Sequence, residues 1–334
     1  SEMPMTRHLL TSSLVLSALV GSALVFSTLV SSALAAAQPA GHLNPVITVQ
    51  EKGQPIFGIA HPAIMARGAG RGRAGGDAAA PATPPPAQPP IVLADVAKET
   101  VGYTRADYLF TSGTSDTFLN YLDEILKAGG SVRTHPFSAK IGIWHANPTA
   151  SNDAMIRQLN AGHVSVSAEG VESAQEVRDV IKAMRFVSAG GTRPETGLEH
   201  AAKYWGLSVE EYKKKADVWP LNKNGELMAT MIVESVAGLE HVREIAAEPG
   251  VAQIFAGYGT LGQVFRGDQP AREAAAAKIL AACKEFKVPC GFPTNNPAEI
   301  EQRMKEGWSV FIMQRRDEPA MAAIETGRKL GGRQ

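Results

Sequence analysis

The period of the apolar positions changes twice between residues 228 and 262. Residues 228–233 form a short run of apolar or small side chains, too brief and too β-branched for a helix, and Glu234 closes it. Val236, Leu239, Val242 and Ile245 then recur at helical spacing, Pro249 and Gly250 stop the pattern, and a second apolar run at 251–256 ends in Gly257-Tyr258-Gly259-Thr260. This alternation predicts a right-handed βαβ unit, in which ligands bind beyond the carboxyl ends of the strands. Glu234 and the glycine turn are therefore expected to face one site.

The same alternation runs along most of the chain. Further strands are predicted at 56–60, 106–110, 140–144, 163–167, 288–292 and 309–313, and helices at 92–102, 118–128, 153–159, 175–184, 271–286, 298–307 and 319–330. Residues 186–224 read as a long connection with two short helices. Eight strands alternating with helices predict an α/β fold, a single-domain (β/α)8 TIM barrel over residues 44–330.

The motif around Glu234, with its Phe-x-Gly-x-x-x-Leu turn at 255–261, resembles the HpcH/HpaI aldolase and citrate lyase β-subunit family. The segments at 202–213 and 216–225 are similar to one branch of it. The resemblance implies a metal-dependent barrel lyase that makes or breaks a carbon–carbon bond beside a pyruvate-like enolate, acting on a small carboxylic acid. It also implies assembly through the outer helices, here as a symmetric trimer or hexamer. In the family the site needs two carboxylates on a divalent metal (Mg, Mn, Co or Zn), a histidine base and an arginine. Glu234 matches the metal-binding glutamate. Thr260 stands where the aspartate belongs, Ser115 where the histidine belongs and Thr114 where its glutamate neighbour belongs; residues 140–152 contain no arginine.

Other strand ends carry candidate replacements. His61, His145 and Glu169, together with Glu234, are expected to project towards one face, as catalytic groups or as a relocated site for Zn²⁺, Mn²⁺ or Fe²⁺. The plainer reading has both histidines bonded to loop backbone and Glu169 paired with an arginine such as Arg193. If the histidines act, activity falls as they protonate below about pH 6.5. Gly257, Tyr258, Gly259, Thr260 and Ser115 are candidate substrate contacts, the backbone N–H groups of the turn suiting a carboxylate. The departures also leave open a catalytically silent barrel kept for binding or assembly.

Composition changes the picture mainly at the amino terminus. Leu9 opens a long apolar stretch that ends in an Ala-x-Ala pattern near Ala37, behind Arg7. Residues 1–37 read as a secretory signal peptide or a retained anchor, which puts the barrel in the periplasm or outside the cell, with a membrane contact only if the segment is kept. Residues 66–90, rich in Gly, Arg, Ala and Pro, read as a low-complexity insertion emerging beside the site. Formal net charge is zero over 334 residues, which gives no footprint for nucleic acid. Cys283 and Cys290 are expected to be small buried residues rather than a pair, and the four tryptophans to be packing. Walker, GxSxG and dinucleotide motifs are absent.

Overall fold

In the computed structural model, residues 41–62, 90–111 and 116–334 are described. The predicted signal segment and almost all of the predicted insertion lie outside them. Among the described residues there are nine strands: β1 (Ile56–Ala60), β2 (Tyr108–Thr111), β3 (Phe137–Ile141), β4 (Ser165–Ala168), β5 (Val218–Trp219), β6 (Leu227–Val233), β7 (Val251–Ala256), β8 (Cys290–Pro293) and β9 (Val310–Met313). All pair in parallel. Pairing of β4 with β6 and of β1 with β9 closes eight of them into the expected barrel, and β5 adds two residues alongside β6.

The lead-in helix Pro45–Glu51 starts where Asn44 accepts from the Val46 N–H at 3.2 Å with proline at the first helical position. Its Val46 and Ile47 pack with Ile56, Tyr108, Met228 and Val310, which closes the amino-terminal end of the barrel. All four tryptophans are buried, as expected of packing residues.

One element is displaced in a way that matters. The third strand was expected at 140–144 and runs instead over Phe137–Ile141. Asn147 accepts from the Ala150 N–H and starts the helix Pro148–Ala161, while the Ser151 hydroxyl donates back to the carbonyls of Gly142 and Ile143. Residues 142–147 are thereby drawn into a helix entry. Lys140, expected at the amino end of its strand, lies near the carboxyl end.

The cysteines also differ from expectation: Cys283 and Cys290 are disulfide-bonded, with Cα atoms 5.8 Å apart, inside the range a disulfide spans. Lys287 adopts φ 57° after the helix Gln269–Phe286, and the Val288 N–H returns to the Cys283 carbonyl at 3.0 Å. That left-handed residue reverses the chain tightly enough to bring the sulfurs together. For so short a loop the cross-link is worth about 2.5 kcal/mol. Reductant should lower the melting temperature by about 4 °C in a domain of this size. Native protein that reacts fully with a thiol reagent without reductant would contradict the pairing.

Candidate active site

The inward positions of the strands define one cavity. On β6 they are Met228, Thr230 and Ile232, followed by Glu234; on β7, Gln253 and Phe255, followed by Gly257; on β3, Ser138 and Lys140. Barrel interiors are ordinarily filled by bulky branched side chains. Here Ser138, Ser165, Ser167 and Thr230 stand in the lumen. Small hydroxyl side chains leave it open, so the cavity continues from the mouth at Glu234 and Thr260 down to Asn44 and Val46.

Glu234 is held at the mouth by neighbours on both sides. Burial pushes its carboxyl above the usual carboxylate range, and the charge of Glu169 adds to this; the Thr260 hydroxyl bond, the Lys140 ammonium and the Gly170 N–H favour the ionised form. Gly257 lies against it. A Cβ on Gly257 would stand 2.3 Å from the Glu234 Cβ and 2.4 Å from its Oε2, so only glycine allows this approach. Lys140 lines the same cavity and is bonded to Glu169.

The helix Tyr258–Val264 begins at Gly257 with no side-chain cap, which leaves the N–H groups of its first turn without helical partners beside the cavity. Tyr258 lines the cavity with its ring, but its hydroxyl is bonded to Glu273 and Gln269. The Arg272 guanidinium lies 3.4 Å from the ring centroid and Arg303 holds Glu273 at 2.8 Å. The phenol is thus a fixed wall that anchors the turn.

The other candidates are not drawn together. His61 does end β1, but its imidazole packs against Phe118 and Tyr121, with ring centroids 6.4 and 6.2 Å away. Its Nδ1 is buried without a partner, and burial lowers its pKa to about 4. Activity dependent on His61 would therefore change near pH 4, not 6.5. His145 is half exposed because the strand ends before it; its Nδ1 is 3.3 Å from Glu176 and its Nε2 3.9 Å from Glu172. Neither histidine lines the cavity. Glu169 pairs with Lys140 rather than with Arg193, which is buried on Asn160 and Tyr212. Ser115 lies outside the described residues.

The four-residue metal cluster is accordingly not assembled: among the described residues no three His, Cys, Asp or Glu side chains converge to hold a metal ion. A hard divalent cation takes about six oxygen ligands and favours carboxylates. Around Glu234 the other donor is the neutral Thr260 hydroxyl, and Glu169 is engaged by an ammonium. This donor set does not fit the divalent cation expected from the sequence.

Lys140 is the charged residue of the cavity that the sequence reading did not single out. The signal was present, since Ser138 and Lys140 keep the two-residue spacing of inward side chains on a strand placed three residues earlier.

The chain is 26% identical over 166 residues to a 2-dehydro-3,6-dideoxy-6-sulfogluconate aldolase of Pseudomonas putida, covering 48% of this chain and 61% of that protein. It is 27% identical over 162 residues to a hydroxypyruvate/pyruvate aldolase of Paraburkholderia phytofirmans, covering 47% and 60%. The chain therefore spans about three fifths of the length of these curated relatives. Among solved structures, an HpcH/HpaI aldolase/citrate lyase family protein from Burkholderia cenocepacia superposes with a TM-score of 0.62 at 18% identity, over 86% of this chain and 97% of that one. No protein-family model matches the chain.

Proposed function

We propose that this chain, which belongs to the HpcH/HpaI aldolase/citrate lyase family, is a carbon–carbon lyase acting on a small 2-oxo or hydroxy acid through an enolate. The observation that carries the reading is that one cavity joins a carboxyl of raised pKa, an ammonium and the open first turn at Gly257. The substrate class is supported by the aldolase names of the curated relatives.

On this reading the backbone N–H groups after Gly257 bind the substrate carboxylate. Cleavage of the bond beyond C3 turns the C4 hydroxyl into the carbonyl of the departing fragment, its proton passing to the Glu234 carboxylate, and leaves the bonding electron pair on C3, delocalised onto the C2 oxygen as an enolate. Lys140 offsets that charge, and Glu234, whose burial favours the protonated form, gives the proton to C3 or removes it in the reverse direction. The family is of the class II, metal-dependent aldolase and citrate lyase type. The cation this chain itself contributes to the cavity is Lys140.

Export fits the same picture, since a disulfide persists in an oxidising compartment. A homo-oligomer, trimer or hexamer, is proposed for the assembly.

Exchange of the pyruvate C3 protons in deuterated buffer, followed by nuclear magnetic resonance, tests the enolate step without needing the natural acceptor. Exchange well above the buffer rate is expected. Exchange no faster than buffer, for pyruvate and oxaloacetate alike, would instead support a catalytically silent barrel.

A further inference from the structure

We infer that the Lys140 ammonium takes the place of a divalent cation in this site, so that the chain binds small anionic 2-oxo acids without metal. The inference rests on the cavity being the ligand site proposed above, and it adds how that site carries its charge.

Three observations converge on it. Glu234 is the one carboxylate lining the cavity among the described residues, and its hydroxyl neighbour Thr260 brings no charge. Glu169, whose charge reaches Glu234, has its oxygen on the Lys140 ammonium, so the second carboxylate that a cation would need is already neutralised. Lys140 is itself held in place: it projects from the carboxyl end of β3, with its ammonium 5.8 Å from the Phe110 ring centroid.

The charge count then decides between the two cations. Glu169 and Lys140 cancel, leaving at most the single negative charge of Glu234 for a dication, which would also meet the ammonium in the same cavity. An incoming carboxylate or enolate can still accept from the Lys140 ammonium, which has three donors and is oriented by Glu169, and the burial of Glu234 favours its neutral form and so weakens the repulsion the anion meets. Lysine suits this task as a compact point charge on a long stem.

The test uses the full chain, treated with chelator and titrated with Mn²⁺, free ion being counted by electron paramagnetic resonance. Wild type should bind Mn²⁺ only above about 1 mM, a range in which dissociation constants reflect very weak sites. Lys140→Gln should bind at least tenfold more tightly, because it removes the ammonium and frees Glu169. The gain should vanish in Lys140→Gln combined with Glu234→Gln, and Lys140→Arg, which keeps the positive charge, should bind Mn²⁺ as weakly as wild type. Oxalate, a mimic of the pyruvate enolate, should bind wild type in the presence of chelator and Lys140→Gln at least tenfold more weakly.

Stoichiometric micromolar Mn²⁺ binding by wild type would overturn the inference. So would a Lys140→Gln protein that melts like wild type yet binds Mn²⁺ no better. These readouts do not depend on turnover, so an absence of lyase activity would count against the proposed function while leaving the assignment of the cation to be decided by binding.

Discussion

Acidification from pH 7 to pH 5 is expected to cost the fold about 4 kcal/mol through His163 and the partly buried His61, before most carboxylates titrate, and the buried His135, whose pKa burial also lowers, acts in the same direction. His163 is fully buried at the amino end of β4, its ring stacked on Phe118 at 4.8 Å. Its Nδ1 lies 2.8 Å from the Gln158 carbonyl and its Nε2 3.0 Å from the Thr111 hydroxyl. A carbonyl can only accept, so Nδ1 carries the proton and Nε2 accepts from Thr111, which satisfies the neutral ring completely. Burial lowers the pKa of His163 to about 3 and that of His61 to about 4.

The direction follows from which state takes the proton first. Both folded values lie below the unfolded value of about 6.5, so the unfolded chain protonates first on acidification. The stability these groups contribute is complete above about pH 6.5 and is lost progressively towards pH 4 and 3. By linkage, each histidine contributes about 2 kcal/mol of loss at pH 5. Denaturant midpoints measured between pH 7 and pH 5 should fall accordingly, and a folded His163→Gln protein should lose about 2 kcal/mol less across that window than wild type. A wild-type midpoint unchanged across that window would refute the account.

The same residues show how far a sequence can be read. Glu234, the exact span of β7 and the turn at Gly257 were legible because each is local: a short apolar run, a charge at its end, a glycine cluster. The barrel was legible for the same reason repeated eight times. Which way a side chain turns at the end of a strand is not local. His61 ends β1 as expected, yet its ring enters the packing of Phe118 and Tyr121 rather than the cavity, a choice made by the helix Asp116–Lys127.

His145 was misplaced for a related reason. The alternation of residues 137–144 fits more than one span, and what ends β3 is the pull of Asn147 and Ser151 on the helix entry. That same three-residue difference hid Lys140. The cysteine pair depended on a single left-handed residue, Lys287, at a position where glycine is the usual marker.

The largest effects on chemistry are expected from Glu234 and from the glycine beside it. A group that moves a proton in the rate-determining step typically contributes about 10²–10⁴ in rate, so Glu234→Gln should slow pyruvate C3 exchange by at least about a hundredfold with little loss of stability. Gly257→Ala should act on the same carboxylate from the other side. Its φ of −72° is ordinary for any residue, so backbone strain is not the reason; the reason is contact, the new methyl falling 2.3 Å from the Glu234 Cβ. The backbone cannot withdraw easily, because the Gly257 N–H donates to the Val233 carbonyl at 3.0 Å and Val233 is paired with Ala256. Overpacking of this kind costs about 1–3 kcal/mol, and a shift of the carboxylate by about 1 Å is enough for a hundredfold loss. Residues that act through one group are not additive, so the double variant should exchange no more slowly than Glu234→Gln alone. Pairing Gly257→Ala with Glu234→Gly should recover most of the lost stability, because the clashing Cβ is gone. If Gly257→Ala costs the same stability in the Glu234→Gly background as in wild type, the two residues do not collide and the geometry at the mouth of the barrel is not as described.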